Sequence, residues 1–192
     1  MPTAIRVRLS SSEGEGPRQE PAGPFRGGKY TIFEGGTTMP FIVRWTGRVK
    51  PGVSNALISQ LDLLASFAAL TNQKVPAGTA EDSINMLPTL LGQSQIGRAS
   101  LVEEAQVLAI REGNWKLIDR SQRPGKHPAP ESTPSPGATV PTAYAQKNSI
   151  APLELYDIAA DPFETNNLAT EHPELVEHLR RALTMLRTQG HS

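Results

Sequence analysis

Residues 107–118 leave few folds open. Val107-Leu108-Ala109-Ile110-Arg111 and Trp115-Lys116-Leu117-Ile118 are rich in β-branched and aromatic residues, with only Glu112-Gly113-Asn114 between them. A connection that short, carrying Gly and Asn, joins antiparallel strands, so the stretch predicts a β-hairpin. Ser100-Leu101-Val102-Glu103 reads as a strand before it, and Leu153-Glu154-Leu155-Tyr156-Asp157 as a last strand that pairs with it. The chain then ends in an amphipathic helix. Pro173 sits at an N1-like position, and Leu175, Val176, Leu179, Leu183 and Leu186 form one apolar stripe. Hairpin, last strand and helix are expected to form one cooperative unit. Ile110, Trp115 and Leu117 face the helix in this reading, and Arg111 and Lys116 are solvated charges on the opposite face.

The first half is organised around Phe25 to Trp45, where the glycine pairs Gly27-Gly28 and Gly35-Gly36 bracket Lys29 and Glu34. Glycine lets a backbone take positive φ and approach a ligand closely, so a lysine between such pairs can be aimed at an anion. Phe41-Ile42-Val43 follows Pro40 without polar alternation and predicts a buried strand of the parallel, two-sided type. Residues 46–56 are turn-rich, and 59–71 have the periodicity of an amphipathic helix packed on a sheet, with Ser59 and Asp62 at capping-box spacing. Asp62 is expected to cap and do little else. Leu87-Pro88-Thr89-Leu90-Leu91-Gly92 predicts a short helix closed by glycine.

Three further segments carry weaker signals. Ala4 to Leu9 alternates as a half-exposed strand does, and Ser10 to Gly23 reads as a loop in which Glu13 is solvated. Ser121 to Pro152 is rich in proline, glycine and serine and reads as a flexible excursion. His172 and His178 lie near the last helix without metal-ligand spacing, so a structural or solvated role is expected and no metal site is assigned.

With 192 residues, 19 basic and 19 acidic side chains and zero net charge, no field draws the chain to nucleic acid or to an anionic membrane. Cysteine is absent, which removes disulfides, thiolate metal sites and a cysteine nucleophile from this chain. No apolar stretch approaches the roughly 18 to 20 residues that span a bilayer, and the N-terminus lacks the basic-then-apolar pattern of a signal peptide.

The lysine-loop stretch and five segments after it, taken in order, resemble the sulfatase family of the alkaline-phosphatase-like superfamily. They are Gly28-Lys29 through Glu34-Gly35-Gly36 to Phe41-Ile42 and Trp45; Gly47-Arg48 to Pro51-Gly52; Asp62-Leu63-Leu64; Asp82-Ser83-Ile84-Asn85-Met86-Leu87-Pro88; Ile110 to Ile118; and Glu154-Leu155-Tyr156-Asp157 to Asn166-Asn167-Leu168. The order is that of sulfatase C-terminal halves, and whole members of the family are more than twice as long. The resemblance implies an α/β fold, α+β in its C-terminal part. Residues 1–98 would be the end of the catalytic α/β domain, with last core strands and helix and an atypical start over 1–23. Residues 99–192 would be a small antiparallel subdomain with a C-terminal helix, interrupted by the loop 121–152.

The resemblance also implies sulfate-ester hydrolysis, with Lys29 contacting the sulfate, Arg26 assisting, and Glu34, Gly35 and Gly36 bracing the loop through backbone hydrogen bonds. Calcium is expected for the family, but its ligands are not in this chain: the segment that should carry Asp-Asn-Gly reads Ser11-Ser12-Glu13-Gly14. Formylglycine has no cysteine to form from. Ser132-Thr133-Pro134-Ser135-Pro136 looks like the start of the nucleophile signature but lacks its arginine and is not assigned. A sulfated small molecule or glycan is the implied partner, with oligomeric state open. Family members are often periplasmic, secreted or lysosomal, and any export signal would lie outside this sequence. Two alternatives stand beside this reading: a phosphate or phosphonate ester hydrolase of the same superfamily, and a non-catalytic fragment or binding module.

Overall fold

The computed structural model describes residues 25–28, 30–105, 107–122 and 151–189. The strand expected at Ala4 to Leu9, the loop with Glu13, most of the proline-rich excursion and Lys29 itself lie outside them.

The C-terminal half is a four-stranded antiparallel sheet in sequential order. Its strands are β1 (Ser100–Glu104), β2 (Leu108–Glu112), β3 (Trp115–Asp119) and β4 (Leu153–Asp157). β2 and β3 form the expected hairpin, paired from Leu108↔Asp119 to Glu112↔Trp115, so its loop is Gly113-Asn114. Gly113 takes φ +55 there, the sign a two-residue hairpin turn requires. β4 adds to β3 with Leu117 opposite Leu155.

One face of the sheet packs on the C-terminal helix, Pro173–Gln189, which is α4 below. Leu108, Ile110, Leu117 and Leu155 from the strands meet Val176, Leu179 and Leu183 from the helix, with Trp115, Leu175 and Leu186 at the margin. Trp115 also meets the His172 ring edge-on at 5.3 Å. His178 pairs with Glu112 at 2.9 Å, and Arg180 reaches across to buried Asp119 at 3.0 Å.

The second face is covered too, and the sequence does not show it locally. Ala109, Ile118 and Tyr156 on that face pack with Ile32, Val107 and Ile158, with Phe33 against them. The cover is the segment 25–38, which ends in one helical turn, α1 (Glu34–Thr37). The sheet is therefore the middle layer between α4 and this loop.

The first half departs further from expectation. Phe41-Ile42-Val43 forms no strand; all three side chains are exposed, Ile42 by 73%, because no described strand lies alongside to accept their backbone groups. α2 (Asp62–Leu70) forms where the periodicity predicts a helix, but it faces the other way. Its buried residues are Asp62 and Ser66, and Leu61, Leu64, Phe67 and Leu70 point outward. Asp62 still receives the Ser59 backbone N–H at 2.8 Å, as the capping spacing implies. It does more than cap, since its carboxylate takes a bidentate pair from buried Arg98, whose Nη2 lies 2.7 Å from Oδ1. α3 (Leu87–Leu90) carries its proline in the first turn and ends before Gly92 at φ +69.

The two kinds of leucine give a direct test. Leu179→Ala, at a fully buried position under the sheet, should cost about 2 to 5 kcal/mol, whereas Leu64→Ala on the open face of α2 should change stability by no more than about 0.5 kcal/mol. Chemical denaturation of both variants of this chain reads the difference.

Candidate functional site

The loop 26–38 is held together by its own backbone. The Gly28 carbonyl accepts the Thr31 N–H at 3.0 Å and the Thr31 hydroxyl at 2.8 Å, and the Gly28 N–H donates to Thr31 Oγ1 at 3.0 Å. The Gly35 N–H donates to the Arg26 carbonyl at 2.8 Å, which ties the end of the loop to its beginning. This closure explains two of the glycines. A Cβ on Gly36 would stand 2.1 Å from the Thr31 carbonyl oxygen, and one on Gly35 would stand 2.6 Å from that of Arg26. Both clashes are with backbone, so Gly35 and Gly36 are required for the loop to pack on itself. Of the first pair, Gly27 has φ +79 and Gly28 meets nothing within 4 Å. Tyr30 also takes positive φ, +73. Lys29, in sequence between Gly28 and Tyr30, falls outside the described residues.

Glu34 is the anchor of the loop, through its side chain more than its backbone. Its Oε1 lies 2.9 Å from Lys116 Nζ, and its Oε2 accepts the Thr38 hydroxyl at 2.6 Å and faces Arg111 Nη1 at 3.3 Å. Its own N–H donates to Glu164 Oε2 at 2.7 Å. Burial alone would raise the Glu34 carboxyl, but Lys116, Thr38 and Arg111 outweigh it and hold the group below the ordinary carboxylate range.

Lys116 corrects the reading of a solvated sheet charge: its exposure is 0%. It projects from β3 onto the face that the loop covers, where Glu34, Glu103 and Glu164 approach Nζ at 2.9, 2.9 and 3.3 Å. Burial would lower its pKa, yet the three carboxylates outweigh that cost and raise it, so the ammonium stays charged. Arg111, expected to be solvated, is only partly so and reaches Glu34 from β2. Glu164 is fully buried at φ +53 in the turn after β4. Burial pushes its carboxyl up to about 7 against the pull of Lys116 and of the Glu34 N–H.

Arg26 joins the same assembly. Its Nη1 donates to the Glu164 carbonyl at 2.8 Å and to the Tyr156 hydroxyl at 3.1 Å, and its guanidinium lies 3.7 Å over the Phe33 ring. The Tyr156 hydroxyl in turn donates to Glu154 at 2.6 Å, and Arg120 pairs with the same carboxylate. Burial, then the Glu154 carboxylate, raise the Tyr156 pKa, so the phenol is neutral and serves as a donor. Of the residues singled out in the sequence, Arg26, expected at the sulfate, and Glu34, Gly35 and Gly36, expected to brace the loop, are brought together here; Lys116, Glu103, Glu164 and Tyr156 carry no such expectation in the sequence. Glu103, Lys116 and Tyr156 share one face of the sheet, and their one advance signal is the apolar Ala109 and Ile118 on that same face.

Calcium finds no place in this set. The Glu34, Asp62, Glu154 and Glu164 carboxylates are engaged by lysine or arginine, and no group of three or more His, Cys, Asp or Glu among the described residues could hold a metal ion. Nor is any described helix long and apolar enough to cross a membrane.

No family model matches the chain. It is 41% identical over 171 residues, 88% of its length, to N-acetylgalactosamine-6-O-sulfatase of Bacteroides thetaiotaomicron, and 34% identical over 181 residues, again 88% of its length, to human arylsulfatase A. These matches cover 31% and 34% of the two relatives, so the chain spans about a third of the length of the curated proteins it matches. Among solved structures, a Bacteroides thetaiotaomicron protein described with the metabolism of multiple glycosaminoglycans superposes with a TM-score of 0.68 at 40% identity, over 86% of this chain and 32% of that one. The PsFucS1 sulfatase from Pseudoalteromonas sp. shares the fold at 18% identity, with a TM-score of 0.59 over 86% of this chain and 33% of that one. The order of motifs, the sheet with its C-terminal helix and these relatives agree, and the chain belongs to the sulfatase family, matching the C-terminal portion of its members.

Proposed function

We propose that this chain is the C-terminal part of a sulfuric ester hydrolase and that Lys29 supplies one of the cationic contacts to the substrate sulfate. The observation that carries this reading is the 41% identity to a sulfatase over 88% of the chain. The loop supports it: a backbone ring from Arg26 to Gly35, anchored through Glu34 to the sheet, is a rigid mount for its one lysine. As the S–O bond to the leaving group breaks, negative charge moves onto the sulfate and leaving oxygens, and an ammonium aimed at them favours the transition state. Arg26 spends its guanidinium on Tyr156, Glu164 and Phe33, so in this reading it braces the loop and Lys29 carries the charge. The substrate class is a sulfated small molecule or glycan, in keeping with the amino-sugar sulfatase among the relatives.

The nucleophile and the calcium ligands belong, in this reading, to the part of the family fold that this chain does not span. The exposed apolar surface favours that division. Met39, Phe41 and Trp45, and Leu64 and Phe67 of α2, are exposed apolar side chains of the kind that a protein buries against further polypeptide.

Two outcomes test the proposal. The 192-residue chain alone should hydrolyse no aryl sulfate above background; turnover that disappears in Lys29→Ala would show that it carries its own nucleophile. When the chain is joined to the upstream portion of a sulfatase relative in a form that restores turnover, Lys29→Ala should lower kcat by about a hundredfold to a thousandfold with the melting temperature unchanged. Lys29→Arg should recover only part of it, since a planar guanidinium does not replace a compact ammonium. Unchanged turnover and kcat/KM in Lys29→Ala would remove Lys29 from the site.

A further inference from the structure

We propose that Lys116 is the positioning residue of the Lys29 loop: its buried ammonium gathers Glu34 from that loop, Glu103 from β1 and Glu164 from the turn after β4, and so fixes the loop on the sheet. The functional meaning of the clamp rests on the reading of Lys29 as an anion contact. The clamp itself rests on geometry. Nζ lies within 3.3 Å of all three carboxylates, and so touches the loop, the first strand and the turn together.

The groups facing this cluster come from every layer around it. The loop and α1 supply Arg26, Glu34, Thr37 and Thr38; β1 supplies Glu103 and β2 Arg111; β4 supplies Tyr156 and Glu154, the latter paired with Arg120; and the turn supplies Glu164. α4 lies on the opposite face, where its Arg180 pairs with Asp119. The named groups balance, four carboxylates (Glu34, Glu103, Glu154 and Glu164) against four cations (Arg26, Arg111, Lys116 and Arg120), but three of the carboxylates crowd around one ammonium, and their mutual repulsion in a water-poor place is costly. Nζ donates to Glu34 Oε1 and Thr37 Oγ1, whereas Glu103 Oε2 at 2.9 Å and Glu164 Oε1 at 3.3 Å meet it as ion pairs without hydrogen-bond alignment. A proton on Glu164 removes one of the three like charges gathered around Nζ. Glu164 is the group whose carboxyl is raised, by burial, to about 7.

The sign of the pH effect follows. Between the ordinary 4.5 and about 7, folded Glu164 holds a proton that the unfolded chain has released, so this group favours the closed loop at mildly acidic pH and the benefit fades as pH rises through 7. Lys116 remains charged across the whole window.

Hydrogen–deuterium exchange on the full chain tests the clamp without any substrate. The Gly35, Gly36, Thr37 and Thr38 amides, each bonded within the loop, report on it, and the β2 and β3 amides serve as the internal control. In Lys116→Met the loop amides should exchange at least about tenfold faster while the sheet amides stay within about twofold. Loop exchange within about twofold of wild type, or equal acceleration in a folded sheet, overturns the proposal. Should Lys116→Met fail to fold, Glu164→Gln decides, because glutamine keeps an acceptor for the Glu34 N–H but cannot ionise. After correction for intrinsic rates, wild-type loop protection should fall between pH 6 and pH 8.5, and that of Glu164→Gln should not; a variant that tracks wild type overturns the proposal. Failure of the Lys29 reading leaves these exchange rates untouched, and failure of the clamp leaves the kinetics of Lys29→Ala untouched.

Discussion

A lysine with no exposed surface sets the terms for the rest of the sheet. Taking an ammonium out of water costs several kcal/mol unless carboxylates and hydrogen bonds replace the lost solvation. Lys116 obtains that replacement from residues 13, 48 and 82 positions away in sequence, Glu103, Glu164 and Glu34. The loop contributes only Ile32 and part of Phe33 to the apolar packing under it, too little to fix a glycine-rich segment unaided. Charge therefore specifies where the loop sits, and the apolar contacts exclude the water that would weaken that charge. The other face works the opposite way: α4 docks through a stripe of leucine and valine, and its half-exposed Arg180 pairs with buried Asp119 at the end of β3.

This division explains which parts of the molecule could be read from the chain. The hairpin, β4 and α4 follow from local periods of two and 3.6 and from a Gly-Asn turn, and they form as the pattern says. The glycine-rich loop was visible as a special backbone, and Gly35 and Gly36 are special for a stated reason, the clash that a Cβ would make with Thr31 and Arg26. Lys116 was misread because a strand with one apolar face normally leaves the other to water, and the cover comes from a segment about 80 residues earlier. The same limit applies to α2. Periodicity located the helix but could not say which face is inside, because Asp62 and Ser66 are buried by partners supplied from Arg98 and Met86, distant in sequence. Phe41-Ile42-Val43 has the composition of a core strand and the exposure of a surface, since composition reports what a segment can bury and only neighbours decide whether it does.

The two halves of the chain thus stand in different relations to the family fold. The sheet, its helix and the covering loop satisfy their own polar and apolar groups to a large extent. The stretch from Met39 to Leu70 does not, since it turns aromatic and aliphatic side chains outward while its polar groups pair inward. The chain matches about a third of the length of its relatives; within it the loop 26–38, the sheet and α4 pack as one unit, and residues 39–70 carry most of the exposed large apolar side chains among the described residues.

A double-mutant cycle between Lys116→Met and Glu34→Gln, read by chemical denaturation of the full chain, tests most directly whether the ammonium and the loop carboxylate act as one unit. Groups that share a buried ion pair couple by about 0.5 to 3 kcal/mol. A 2.9 Å contact at the centre of the cluster predicts coupling in the upper half of that range, at least about 1.5 kcal/mol. Additive effects, with coupling below about 0.5 kcal/mol, would contradict the account.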